Sequence, residues 1–285
     1  MKRARNGRSL VSSRKQIGLA IVLMVLLASP APRARAGLGR RIDPAQFVPL
    51  DQLAPEYRGS VAEVIRDSTF HRQGEAESFP CNAGLYLTLV NEPMLTFSLW
   101  KDLTTTGVQV RKLSPNRYQG DDGAGTTATW DYVLRSSRLH VLLASLNYVS
   151  PHGKAQIQAR IVLIVHTGYF RLADNTSYIQ HDVEAFVKVD SRGWKTLART
   201  VRPLIDHLLE EQVRQAGQFV SLMSKLVVTY PNWATEVALG QPALDEETRA
   251  RFREIVARNR RPGASSGRPV VVADSGDAAS GDRRR

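Results

Sequence analysis

The fold is decided by residues 157–190. They read Ile157-Gln158-Ala159-Arg160-Ile161-Val162-Leu163-Ile164-Val165-His166-Thr167-Gly168-Tyr169-Phe170, then a turn at Asp174-Asn175, then Tyr178-Ile179-Gln180-His181-Asp182-Val183-Glu184-Ala185-Phe186-Val187-Lys188-Val189-Asp190. In the first run Ile157, Ala159, Ile161, Leu163 and Val165 fall on one side. In the second, Ile179, His181, Val183, Ala185, Val187 and Val189 do so. A period of two over this length predicts two long strands, antiparallel because the turn between them is short.

Working outward, the same period holds upstream. Val108 and Val110 alternate. Tyr118 leads into Gly120-Asp121-Asp122-Gly123-Ala124-Gly125, a hairpin turn by composition. Thr126 to Leu134 places Ala128, Trp130, Tyr132 and Leu134 on one face, and Leu139 to Tyr148 forms the next strand. Ser150-Pro151-His152-Gly153 supplies a second turn, so the segment is an antiparallel meander. Downstream the period changes to that of a helix. Leu204, Ile205, Leu208, Gln212, Phe219, Val220, Met223, Leu226 and Val227 trace one stripe. Pro203 suits a first helical turn. A helix over Pro203 to Val228 is predicted, about 39 Å long at 1.5 Å per residue, stopped by Tyr230-Pro231. Trp194 to Thr200 reads as a separate short helical turn. Asp245 to Ala257 reads as a last amphipathic helix carrying Phe252, Ile255 and Val256. Before the meander, Pro55 to Arg66 is a short helix with Tyr57, Val61, Val64 and Ile65 on one side. Thr69 to Ser78 alternates weakly. Asn82 to Val90 suits strand or helix, and Glu92 to Leu103 is helical after Pro93.

A curved sheet with one apolar face must cover it, and one long helix laid across it does so. This order resembles the helix-grip fold of the START-like superfamily, which includes lipid-transfer domains and polyketide cyclases. The resemblance is carried by Leu85-Tyr86 through Phe97-Ser98-Leu99-Trp100, by the turn at 120–125, by His181 to Asp190 and by Phe219-Val220-Ser221-Leu222-Met223. It covers about residues 68 to 233. It implies an α+β chain with a cavity between sheet and helix for an apolar or amphipathic molecule. No catalytic signature matches residue by residue, so none is carried over.

The N-terminus predicts an address. Lys2, Arg3, Arg5, Arg8, Arg14 and Lys15 precede an apolar run, Ile17 to Ala28, too short to span a hydrocarbon core of roughly 30 Å. Ala34-x-Ala36 then supplies the small residues that signal peptidase accepts. Residues 1 to 36 are expected to be a signal peptide, the mature chain to be secreted or periplasmic and not transmembrane. An uncleaved anchor is the alternative. The formal charge of +12 suggests nucleic acid, but its distribution argues otherwise. The leader holds 8 basic residues and no acids, and residues 259–285 hold 6 basic and 3 acidic. Residues 37–258 are left with a net +1, where a nucleic-acid-binding domain concentrates basic charge on a folded face. The single cysteine, Cys81, forms no internal disulfide, so the core carries stability.

The candidate site residues are Trp130, Tyr132 and His181. Trp130 and Tyr132 share an apolar strand face and offer apolar area with polar tips. His181 sits on the apolar face of its strand, where it serves either as a hydrogen-bonded core residue or as an acid/base. The six histidines show no metal-ligand spacing, so no metal and no cofactor is expected. Asp121-Asp122-Gly123 lacks the oxygen pattern of an EF-hand. Cys81 has no visible activating partner.

The expected organisation is a signal peptide at 1–36, an N-terminal segment at 37–67, the helix-grip domain at 68–233, a terminal helix at 234–258 and a disordered tail at 259–285. Three functions fit. The first is a binding module holding a lipid or other apolar small molecule for sequestration or transfer. The second is a cyclase- or hydrolase-type enzyme with His181 as acid/base. The third is a non-catalytic structural role in the cell envelope, through the tail or an exposed apolar patch on the terminal helix.

Overall fold

The computed structural model describes residues 42–104, 107–123, 125–149, 156–190, 218–260 and 265–269. Helix α1 is Pro55–Arg66, entered through the expected proline. Two short strands follow, β1 Phe70–Gln73 and β2 Glu77–Pro80. The ambiguous stretch after them is a helix, α2 Ala83–Asn91, because Asn82 caps it: its side chain accepts from Gly84 N at 2.8 Å. Helix α3 spans Pro93–Leu103. The meander is β3 Gln109–Lys112, β4 Arg117–Asp121, β5 Thr126–Arg135, β6 Leu139–Val149, β7 Gln156–Arg171 and β8 Ser177–Val189. Helix α4 is described over residues 218–229. The rest of the helix expected from Pro203 lies outside the described residues, as do the turn at 150–153 and the segment Trp194 to Thr200.

The strands form one antiparallel sheet in the order β1-β8-β7-β6-β5-β4-β3, with β2 also pairing β8. Chain order is kept from β3 to β8, and the first strands return to pair with the last. The architecture is therefore the expected α+β helix-grip: a curved antiparallel sheet with the C-terminal helix against its inner face. Phe219, Val220, Met223, Leu226 and Val227 of α4 all pack into the inner core.

Both faces of the sheet are apolar and both are covered. The inner face carries Trp130, Ala144, Ile161, Leu163, Val183 and Ala185. The outer face carries Val133, Val141, Val162, Ile164 and Phe186, and residues 42–66 close it with Val48, Leu53, Val61, Val64 and Ile65. Burying one such side chain stabilises by roughly 1.5–3 kcal/mol, so the N-terminal segment is a full layer of the fold.

The terminal helix expected at 234–258 is two helices, the first of them α5, Pro231–Leu239. Helix α5 buries Trp233, Ala234 and Ala238, a face of mostly small residues that gives little periodic signal. Helix α6, Glu246–Arg258, is capped by Asp245, whose carboxylate accepts from Thr248 N at 2.7 Å. Its Phe252 and Val256 are buried in the inner core, with Ile255 packed against it. The exposed patch that a structural envelope role would use is therefore not on this helix. Residues 265–269 return to the body, with Ser265 N donating to Thr229 O at 2.8 Å. No helix among the described residues is long and apolar enough to cross a membrane.

Candidate functional site

The inner face of the sheet does not pack solidly against the helices. A cavity of about 110 Å³ lies between them. Each central strand contributes an inward pair: Trp130 and Tyr132 from β5, His140 and Leu142 from β6, Leu163 and Val165 from β7, His181 and Val183 from β8. Tyr86, Leu89 and Phe97 of α2 and α3 close one side, and Phe219 and Val220 of α4 another. All three residues singled out from the sequence thus stand on one wall. The volume decides what fits as the walls stand. A cavity of ~150 Å³ holds benzene, whereas drug-sized ligands occupy roughly 300–1,000 Å³.

Trp130 is fixed by Tyr118, stacked on it at 5.7 Å between centroids, and Tyr118 meets the Tyr132 ring edge-on at 6.0 Å. The Tyr132 hydroxyl donates to Val90 O at 3.0 Å. Burial pushes its pKa well above the usual phenol value, so it remains a donor.

Strand β5 also carries a bulge. Tyr132 pairs with Leu142, but Leu134 pairs with Val141 and Arg135 with His140. The extra residue turns Leu134 to the outer face, where it packs with Val133 and Val141. This corrects the expected alternation, which kept Leu134 beside Tyr132. A bulge re-aims side chains, and here Arg135 takes the inward place. Its guanidinium lies 4.0 Å over the Tyr132 ring, and its Nη1 donates to Asn91 O at 3.1 Å.

His181 is held by protein on both ring nitrogens. Nδ1 lies 3.2 Å from the Tyr86 hydroxyl, which also bonds Thr167 Oγ1 at 3.0 Å. Nε2 lies 3.7 Å from Glu77 Oε2, an ion-pair distance rather than a hydrogen bond. Glu77 faces His181 across the β2–β8 ladder and accepts from Ser221 Oγ of α4 at 2.6 Å. Burial raises the Glu77 pKa, but His181 and the Ser221 hydroxyl outweigh it and leave it below the usual value. An acid/base needs a nitrogen within reach of substrate. Both nitrogens of His181 face protein groups, so the arrangement positions the ring and ties β2, β8, α2 and α4 together.

His140 is different, and the sequence reading did not single it out. Its ring is fully buried and forms part of the cavity wall. Nε2 faces Asn91 Oδ1 at 3.1 Å. Nδ1 is buried and has no hydrogen-bond partner among the described residues. Burial, with help from the Arg135 charge, lowers the pKa to about 4, so the ring is neutral at pH 7. Leaving a buried polar atom unpaired costs about 1–3 kcal/mol. The alternation of His140 with Leu142 and Ala144 is the signal that would have found it.

No protein-family model matches the sequence, and no curated protein sequence matches it. Solved structures do align. Norcoclaurine synthase from Thalictrum flavum aligns at 15% identity and TM-score 0.35, over 57% of this chain and 90% of its own. A conserved protein from Geobacillus kaustophilus aligns at 11% and 0.31, over 52% and 96%. Ara h 8.0201 aligns at 9% and 0.30, over 53% and 97%. The fold assignment rests on the strand order and on the helix against the inner face.

The remaining candidates are accounted for locally. Asp121 Oδ1 accepts from Gly123 N at 2.7 Å and Asp122 Oδ1 from Thr126 N at 2.9 Å, so both carboxylates hold the hairpin turn. Cys81 is buried, with its thiol toward Asn82 O at 3.4 Å. Among the described residues no group of three or more His, Cys, Asp or Glu is placed to hold a metal.

Proposed function

We propose that this chain is an exported binding protein that holds a compact apolar small molecule beneath α4, for sequestration or transfer without covalent chemistry. One observation carries the reading: a cavity with a mostly apolar lining, closed by the sheet on one side and by α2, α3 and α4 on the other. Trp130, Tyr132 and His181 are its proposed ligand contacts, the first two as apolar wall and His181 as a fixed edge. Export is supported by the leader-like residues 1–36 alone. The enzyme reading loses support because Tyr86 and Glu77 face the two nitrogens of His181. With the cavity at about 110 Å³ against the ~150 Å³ that holds benzene, a ring-sized guest needs a small outward give of the walls, and a long acyl chain needs α4 to move much further.

Val183 is buried and lines the cavity, so Val183→Phe fills it. The reading expects the full-length protein to bind ring-sized apolar molecules such as benzene, with a change in tryptophan emission that Trp130→Phe removes. It expects Val183→Phe to abolish binding by at least ~10-fold while the far-ultraviolet circular dichroism is kept. Calorimetric titration showing no uptake by the unsubstituted protein, or equal uptake by Val183→Phe, sinks the proposal.

A further inference from the structure

We infer that the molecule held under α4 carries a hydroxyl group and presents its proton to His140 Nδ1. This rests on the binding reading above and adds the chemical class of the ligand. Nδ1 of His140 is a buried ring nitrogen that no described residue pairs. With Nε2 facing the Asn91 carbonyl oxygen at 3.1 Å, the ring proton belongs on Nε2, and Nδ1 is a bare acceptor. No described residue supplies it a donor. The ring stands in the cavity wall among Tyr132, Leu142 and Val165, so a guest in the cavity meets the ring. The fold holds this acceptor neutral and fixed: burial and the neighbouring Arg135 oppose a second proton, and the strand pairing with Arg135 and Val165 sets the ring's place.

The same neighbour selects among donors. Arg135 is the cross-strand partner of His140 on the inward side of the bulge. Its Nε and Nη2 are also buried without a hydrogen-bond partner among the described residues. A second cation beside it is opposed, which disfavours an ammonium group, whereas an oxygen lone pair is favoured. A hydroxyl gives a proton and offers lone pairs, so a phenol or a compact alcohol suits this end of the cavity.

The test compares phenol with benzene on the full chain by calorimetric titration. In a wall with no acceptor phenol binds more weakly than benzene, because its hydroxyl gives up water for nothing. The inference expects the reverse, phenol tighter by ~10-fold. It expects His140→Phe, which keeps a ring there, to restore the apolar order with benzene ahead. A measurement that needs no variant runs beside it: the Nδ1 resonance of His140 in nitrogen-15 spectra shifts on adding phenol and not on adding benzene. Benzene binding as tightly as phenol, or a phenol preference that survives in His140→Phe, overturns the inference and leaves the binding reading standing. Failure of both probes to bind overturns both.

Discussion

At the scale of single residues, the most exacting position outside the cavity is Gly125. It sits at φ +106, where side chains other than glycine are strained. A Cβ there would lie 2.2 Å from Val149 O, and its own carbonyl accepts from Val149 N at 2.8 Å. Gly125 therefore closes the end of the β5–β6 pairing as well as the turn from β4. Gly125→Ala is expected to lower the unfolding free energy by at least ~2 kcal/mol, combining backbone strain with displacement of β6. Urea denaturation reads this directly, and a loss below ~0.5 kcal/mol contradicts the assignment. The turn itself was legible from its glycines and aspartates. The contact with Val149 was not, because nothing in residues 120–125 encodes what passes beside them.

At the scale of elements, α1 is clamped to the sheet by charge at its rim. Glu63 accepts from Arg160 Nη1 and Nη2 at 2.8 and 2.9 Å and also pairs with Lys188. Hydrogen bonds from Arg160, then from Lys188, hold its carboxyl at about 2, below its ordinary 4.5. A folded-state value below the unfolded one means that the stabilisation is complete above pH ~4.5 and is lost as the pH falls toward 2. Glu63 is partly exposed, so solvent screens the effect, and such pairs contribute about 0.2–1 kcal/mol each. Glu63→Gln is expected to reduce stability at pH 7 by on the order of 1 kcal/mol and to flatten its pH dependence between 4.5 and 2. Thermal unfolding across that range checks it, and an unchanged slope refutes the clamp. The bulge in β5 belongs to this scale too. Alternation placed Trp130 and Tyr132 correctly on the inner face, but one extra residue in the ladder moved Leu134 out and Arg135 in. A bulge is set by the pairing of two strands, and a period count along one strand does not register it.

At the scale of the whole molecule, the sheet is sandwiched. The helices cover its inner face and residues 42–66 its outer face. Removing residues 1–67 is expected to leave Val141, Val162, Ile164 and Phe186 uncovered. An apolar patch of that kind promotes association. The truncated chain should be recovered mainly as aggregate, or bind a hydrophobic dye strongly, in gel filtration and fluorescence assays. A monomeric, cooperatively folding truncation would show that the outer layer is dispensable.

The sequence by itself determined the meander, the face of each long strand except beyond the bulge in β5, α1, α3, α6 and the apolar stripe of α4, because local period and end signals specify them. It also put Trp130, Tyr132 and His181 on inward faces. Tertiary structure alone decided that these three share one cavity of about 110 Å³, that His181 is held by Tyr86 and Glu77, and that no described residue pairs the buried Nδ1 of His140. Those outcomes depend on which residues from α2, α3 and β2 arrive opposite each strand. Pairing between segments some 50 to 100 residues apart leaves no mark in the period of either.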